Sequence, residues 1–252
     1  MSGFIVNRGY GEDEHLGGNI LEGDPHTYSP TVWDYLIKRF ALHSVLDVGA
    51  GMGYAANYFH RAGLQTLAVE GLESNVENSL YPSLKVDLTR SSVQCRVDLV
   101  HCQEVVEHIE EMFVDHLLQS FACGRILVMT HALPGQGGYH HVNLQPPEYW
   151  IEHLKRYNFE FLSIDTHRIR RMAEQDGAIY MAQSGMVLLT ANVCRYNLNR
   201  TRLISVTLLA AQKRRFCSDG SDMCEQPAEQ HIGQSGIIRR VQFCGFFPEM
   251  LP

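Results

Sequence analysis

Val45-Leu46-Asp47-Val48-Gly49-Ala50-Gly51-Met52-Gly53 is the stretch that decides the fold. A short apolar strand runs into a loop with glycine at every second position. Tyr54 to Ala62 then reads as a helix that ends at Gly63. A strand that passes into a helix through glycines is the first half of a βαβ unit. Glycines at 49, 51 and 53 permit a tight turn and let a ligand lie against bare backbone. The helix start at Gly53 offers unpaired N–H groups to a carboxylate.

Outward from that stretch the chain alternates strand and helix. Ser29-Pro30 opens a helix, with Ser29 at the N-cap and Trp33, Leu36, Ile37 and Phe40 as its apolar stripe. Thr66 to Glu70 reads as a second strand, Ser74 to Leu80 as a short helix, and Leu84 to Val86 as a weak third strand. Val97 to His101 is a fourth strand, Glu110 to Phe121 a helix, and Arg125 to Thr130 a fifth strand. Pro147 to Tyr157 reads as a helix, with strands over Phe159–Ser163 and Gly185–Thr190. The expected fold is α/β: a Rossmann-like, seven-stranded, mostly parallel sheet with helices on both faces and an antiparallel edge. The expected organisation is an N-terminal segment over 1–29 able to act as a lid, a main domain over 30–191, and a C-terminal extension over 192–252 of unknown fold.

The glycine spacing selects the ligand. Dinucleotide sites show G-x-G-x-x-G facing a pyrophosphate. Here the spacing is G-x-G-x-G, preceded by Asp47, and a carboxylate beside the loop suits an ammonium better than a phosphate. A nicotinamide-binding Rossmann protein is therefore the disfavoured rival. Glu70 closes the second strand, 17 residues after Gly53, where a carboxylate accepts from both ribose hydroxyls of a nucleoside. Amino acid at one end and nucleoside at the other describes S-adenosylmethionine.

These residues resemble the class I S-adenosylmethionine-dependent methyltransferases over roughly residues 42 to 191. The resemblance implies that Asp47, Gly49, Ala50, Gly51 and Gly53 hold the amino-acid part and Glu70 the ribose. It implies that Gly71 and Leu72 flank the adenine, that Asp87 and Leu88 meet its amino group and ring, and that Cys102 and Gln103 line the methionine.

Methyl transfer from a sulfonium needs a nucleophile held near the methyl carbon and relieved of its proton. Glu104, Glu107 and His108 fall at i, i+3 and i+4, which on a helical turn is one face. With His140 or His141 from beyond the Gly135–Gly138 loop they could hold a divalent ion such as Mg. The same residues could instead form a hydrogen-bonded cluster that shapes the acceptor pocket. The Glu-x-x-Glu-His run resembles that of the ubiquinone-biosynthesis O-methyltransferases and of the small-RNA 3′-end 2′-O-methyltransferases, which implies His141 as the fourth ligand. His131, ending the fifth strand, is a candidate base with His141, or else a histidine that hydrogen-bonds the nearby loop. Pro134 to Tyr139 is flexible in composition and could close over substrate or be an ordinary surface turn. For the segment around Glu12, Asp13, Glu14 and His15 the resemblance implies a place over the acceptor site, and its composition equally suits a solvated segment.

Bulk properties narrow the partners. The 252 residues are 45% hydrophobic and 19% charged, with a net charge of −7. No global basic field draws nucleic acid or anionic membrane. The last stretch, 192–252, is basic and holds Lys213-Arg214-Arg215 and the pair Cys217 and Cys224, whose spacing is not that of a zinc site. No apolar run is long enough to span a membrane and no secretion signal is evident, so reduced cysteines and a cytoplasmic location are expected. The expected activity is O-methylation of a small molecule or a sugar or glycan unit. The alternatives are RNA 2′-O-methylation and a non-catalytic S-adenosylmethionine-binding regulator.

Overall fold

Side chains alternate along β3 (Ser44–Val48), and the alternation divides the core in two. Leu46 and Val48 enter one buried cluster, which α4 (Val114–Phe121) and α5 (Pro147–Lys155) close through Leu117, Phe121, Trp150 and Leu154. Val45 enters the other, closed by α1 (Pro30–Phe40), α2 (Tyr54–Arg61) and α6 (Ser163–Asp176) through Trp33, Leu36, Phe59 and Ile169. Helices therefore cover both faces of one sheet, as expected. The computed structural model describes residues 6–191 and 207–210.

The sheet has seven strands in the order β5 (Ser83–Lys85), β4 (Gln65–Glu70), β3, β7 (Val97–Cys102), β8 (Gly124–Met129), β10 (Met186–Thr190) and β9 (Phe159–Phe161). All neighbours are parallel except β10, which runs antiparallel to both β8 and β9. From β3 the chain steps outward to β4 and β5, then returns to lay β7 and β8 on the other side. The crevice beyond the carboxyl ends of β3 and β7 is thus the switch point where open α/β sheets bind ligands.

Two small antiparallel pairs lie outside this sheet: β1 (Val6–Arg8) with β2 (Gly18–Ile20), and β6 (Ser91–Gln94) with β11 (Thr207–Ala210). β11 falls within the apolar run Leu203 to Ala211, which could be a strand or a helix by its sequence. Lys213-Arg214-Arg215 and the Cys217 and Cys224 pair lie outside the described residues. No helix among the described residues is long and apolar enough to cross a membrane.

Three local expectations change. The helix expected over Glu110–Phe121 begins as a one-turn 3-10 helix at Glu111–Phe113 and becomes α4 only at Val114. The stretch between the last two strands, unassigned in the sequence, holds α6 and α7 (Ile179–Ser184). Half of the buried stripe of α6 is polar, Asp165 and Thr166 beside Ile169 and Ala173, so hydrophobic periodicity misses it. Ser29 occupies the N-cap of α1 but its hydroxyl makes no capping bond within the helix. It donates instead to Asp176, which also accepts from Thr31 N–H, so the start of α1 is capped from the far end of α6.

The glycine loop is fixed by packing as well as by turn geometry. Gly49 has φ 67°, and a Cβ there would lie 2.3 Å from Val105 Cγ2. Gly49→Ala is expected to lower stability by about 2–4 kcal/mol, combining left-handed strain with overpacking. Adding Val105→Ala relieves the clash but not the strain, so denaturant melts of the double variant should recover only part of the loss. Full recovery would show that strain contributes nothing, and no loss in the single variant would contradict the packing.

Candidate functional site

A cavity of about 960 Å³ opens beyond the ends of β3, β4 and β7, in the size range of small-molecule sites. Its floor is the glycine loop. Gly49 and Ala50 N–H groups both donate to Val69 carbonyl, at 2.9 and 3.0 Å, and Gly53 N–H donates to Ala50 carbonyl at 2.8 Å. Gly51 N–H donates to Glu70 Oε2 at 2.7 Å, and Leu72 N–H to Glu70 Oε1 at 2.9 Å. Burial raises the Glu70 carboxyl above its ordinary range, against the lowering effect of these backbone donors and of the Asn75 amide. Glu70 lines the cavity beside these donors.

The three glycines do different work. A Cβ on Gly51 would meet nothing nearer than Asn19 Nδ2 at 3.9 Å, so this position faces open space. Gly49 is required by Val105. Gly53 packs against Tyr81 and Ser79 and does not line the cavity.

Asp47 is 3% exposed and forms part of the cavity wall. Its Oδ1 accepts from His101 Nδ1 at 2.8 Å, while Oδ2 is buried without a hydrogen-bond partner among the described residues. Gly71, Leu72, Leu88 and Gln103 line the cavity, and Ala50 does so beside the glycines. Asp87 does not. Its oxygens are taken by Thr89, by His15 Nε2 at 3.0 Å and by Arg90 Nε at 3.0 Å. Burial opposes its ionisation, but the bonds from Thr89 and His15 outweigh this and hold the carboxyl below its usual range. Cys102 is also off the cavity, fully buried in the core beside β8, and burial pushes its thiol far up.

The chemistry-bearing run is not the helical face expected. Glu104 has φ 54°, in the left-handed region, and the following 3-10 turn covers only Val106–His108. Thr130 holds Glu104 in that conformation: its Oγ1 accepts from Glu104 N–H and donates to Glu104 Oε1, both at 2.8 Å. Glu107, His108 and His141 converge instead, with one ligand atom from each lying within 4.8 Å of the others. Glu107 is fully buried, and its oxygens lack a well-directed donor. Burial, and then the Glu104 carboxylate beside it, raise its carboxyl well above the ordinary range. His108 Nδ1 lies 3.2 Å from His140 carbonyl and must donate to it, leaving the Nε2 lone pair available. Burial lowers His108 to about 4, with His141 adding to the effect. His141 is also lowered by burial, and its Nδ1 is buried without a partner. Glycines clear the space: a Cβ on Gly17 would lie 2.8 Å from His108 Nδ1, and one on Gly138 only 2.1 Å from His141 Cε1.

His131 stands apart from this group. It is 1% exposed, does not line the cavity, and bonds Ala132 carbonyl through Nδ1 while its own N–H takes Ser184 Oγ. A base must reach the acceptor's proton, and His131 is sealed from the cavity. Gln136, Gly137, Gly138 and Tyr139 line the cavity, as do His15, Leu16 and the stretch from Gly18 to Ile20. Tyr139 hydroxyl donates to Gly9 carbonyl at 2.9 Å, joining the two segments over the site. The sequence did not disclose His101, Trp33, Asn75, Thr130, Asp24 or Tyr180. The β3–β7 register that sets Asp47 beside His101 has no local signal.

No protein-family model matches the chain. It is similar to the ubiquinone biosynthesis O-methyltransferase of Rickettsia typhi (strain ATCC VR-144 / Wilmington), at 29% identity over 38% of this chain and 47% of that protein. The ubiquinone biosynthesis O-methyltransferase of Rickettsia canadensis (strain McKiel) is 26% identical over 42% of this chain and 52% of its own length. The chain thus spans about half the length of the curated relatives it matches. Among solved structures, an S-adenosylmethionine-dependent methyltransferase from Archaeoglobus fulgidus aligns with TM-score 0.46 and 16% identity, over 67% of this chain and 94% of that one. One from Mesorhizobium loti aligns with TM-score 0.43 and 13% identity, over 67% and 98%. The chain is thus similar, over about two fifths of its length, to O-methyltransferases of ubiquinone biosynthesis.

Proposed function

We propose that the protein transfers the methyl group of S-adenosylmethionine to an oxygen of a small-molecule acceptor. The observation that carries this reading is that the glycine-loop cradle and the Glu107–His108–His141 group open into the same cavity. In this reading Glu70 takes the ribose hydroxyls, Leu72 and Leu88 enclose the adenine, and Asp47 with the Gly51 backbone holds the amino-acid part.

The acceptor's charge is constrained by the walls. Glu22, Asp24, Glu104, Glu107 and Asp176 line the cavity, and no Lys or Arg does so among the described residues. Phosphate contacts dominate RNA affinity and need cations. The walls therefore favour a neutral acceptor, such as a phenol or a sugar hydroxyl, over RNA. Tyr28, Trp33 and Tyr180 supply apolar surface for its body.

Glu107, His108 and His141 fit a divalent cation, because two buried carboxylate oxygens and a buried imidazole nitrogen are left without directed partners. A cation such as Mg held there would lower the pKa of an acceptor hydroxyl. His108, at about 4, is too weak a base to take a hydroxyl proton efficiently, but it is neutral above that pH and suits a ligand's role. If no cation is held there, His141 is the imidazole able to accept the acceptor's proton. The Gln136–Tyr139 loop and the His15–Ile20 stretch would exclude water from the sulfonium.

Calorimetry should detect S-adenosylmethionine binding by the full chain, and Glu70→Ala should weaken it at least about tenfold, since a buried charged acceptor is lost. Undiminished affinity in that variant would refute the ribose assignment. Labelled methyl transfer to neutral phenols or sugars should fall about a hundredfold or more in His141→Ala and on chelation. Turnover insensitive to chelator would remove the cation and leave His141 as the base.

A further inference from the structure

The β3–β7 register sets Asp47 directly beside His101, with both side chains on the face that α1 covers. Trp33 descends from α1 onto the same spot, its ring 5.9 Å from the imidazole and edge-on to it. Its indole N–H donates to His101 Nε2 at 3.3 Å. An indole can only donate, so Nε2 must carry the lone pair and the ring proton must sit on Nδ1. That proton is directed at Asp47 Oδ1, 2.8 Å away. All three residues are at most 3% exposed, and all three line the cavity. The relay ends at Asp47 Oδ2, a buried oxygen without a partner among the described residues.

A buried carboxylate with one oxygen satisfied and one open is expensive unless something completes it. It is also stiff, because the imidazole fixes its rotation and the indole fixes the imidazole's tautomer. We propose that His101 is a positioning residue, locked by Trp33, that holds Asp47 with Oδ2 presented to the ammonium of the bound cofactor. This rests on the cofactor reading above. The relay acts on the amino-acid half of the ligand alone, since the nucleoside half is held by Glu70 and the walls around Leu72 and Leu88. It is therefore a device that discriminates the intact sulfonium amino acid from nucleoside thioethers lacking the amino-acid part.

Two ligands separate this role from a merely structural one: S-adenosylmethionine, and 5′-methylthioadenosine, which keeps nucleoside and sulfur but has no ammonium. Calorimetry on the full chain should show His101→Leu binding S-adenosylmethionine about tenfold or more weakly, with 5′-methylthioadenosine affinity changed less than about twofold. His101→Asn, whose amide nitrogen branches where Nδ1 does, should restore most of the loss. Trp33→Phe keeps the ring but not the donor, and should weaken only the amino-acid ligand, by a few-fold; if His101→Leu does not fold, this variant decides. Equal losses for both ligands, or no loss for either, would overturn the positioning role. Failure of the wild-type chain to bind either ligand would sink the cofactor reading itself, and the proposal with it. Wild-type binding of both ligands with equal affinity would overturn the role of Asp47 while leaving the nucleoside site standing.

Discussion

The glycine-loop cradle depends on one buried carboxylate. Glu70 ends β4, and its two oxygens reach in different directions, one to the N–H of Gly51 in the loop after β3, the other to the N–H of Leu72 in the loop after β4. The loops that would meet the methionine and the adenine are therefore hinged on one side chain between them. A shorter residue would leave two loop N–H groups searching for acceptors in a dry setting, where an unmade bond costs about 1–3 kcal/mol. The rise in the Glu70 carboxyl shows that burial outweighs even four lowering hydrogen bonds. The group is held at a cost that the two anchored loops justify structurally.

That condition recurs around the cavity. Asp47, Glu70 and Glu107 are all buried carboxyls, and Asp47 Oδ2 and both Glu107 oxygens are without a hydrogen-bond partner among the described residues. Buried polar groups are normally satisfied within the fold. Where several incompletely satisfied ones face one cavity, the missing partners belong to what the cavity binds. The three acids also divide the cavity: Glu70 on the β4 side, Asp47 at the β3–β7 seam, and Glu107 in the turn after β7. A ligand with hydroxyls, an ammonium and a reacting centre near a proton acceptor matches that order.

Much of the fold was legible because it is written in local patterns. Val45–Val48, the alternating glycines and the Tyr54 helix declare a βαβ start within twenty residues, and Glu70 follows at a spacing set by helix length. The edge was half legible: Gly185–Thr190 reads as a strand, but α6 does not show, since Asp165 is buried by pairing with Arg39 and with Tyr35 rather than by being apolar. The site was less legible than the fold. Glu104, Glu107 and His108 suggest one helical face in sequence, yet Thr130, 26 residues away, pulls Glu104 into left-handed geometry. His131 and His141 look alike as strand-end and loop histidines. Only tertiary packing seals the first behind Trp150 and Ser184 and opens the second to the cavity. Asp87 matches the motif position but is already engaged by His15, a partner 72 residues distant.

The segments over the cavity follow the same logic of long-range contact. The N-terminal stretch is low in apolar residues and would not stay folded on its own merits. It is fastened by polar contacts to parts of the site it covers: His15 to Asp87 beyond β5, Tyr54 hydroxyl to Glu22 carbonyl, and Tyr139 hydroxyl to Gly9 carbonyl. Gly17 and Gly71 keep the approach close, because a Cβ at the first would press on His108 and one at the second on Leu16. Polar fastenings of this kind are individually weak and reversible. They hold the segment against the cavity without a buried apolar side chain between Arg8 and Ser29, so its place over the site rests on a few long-range polar contacts.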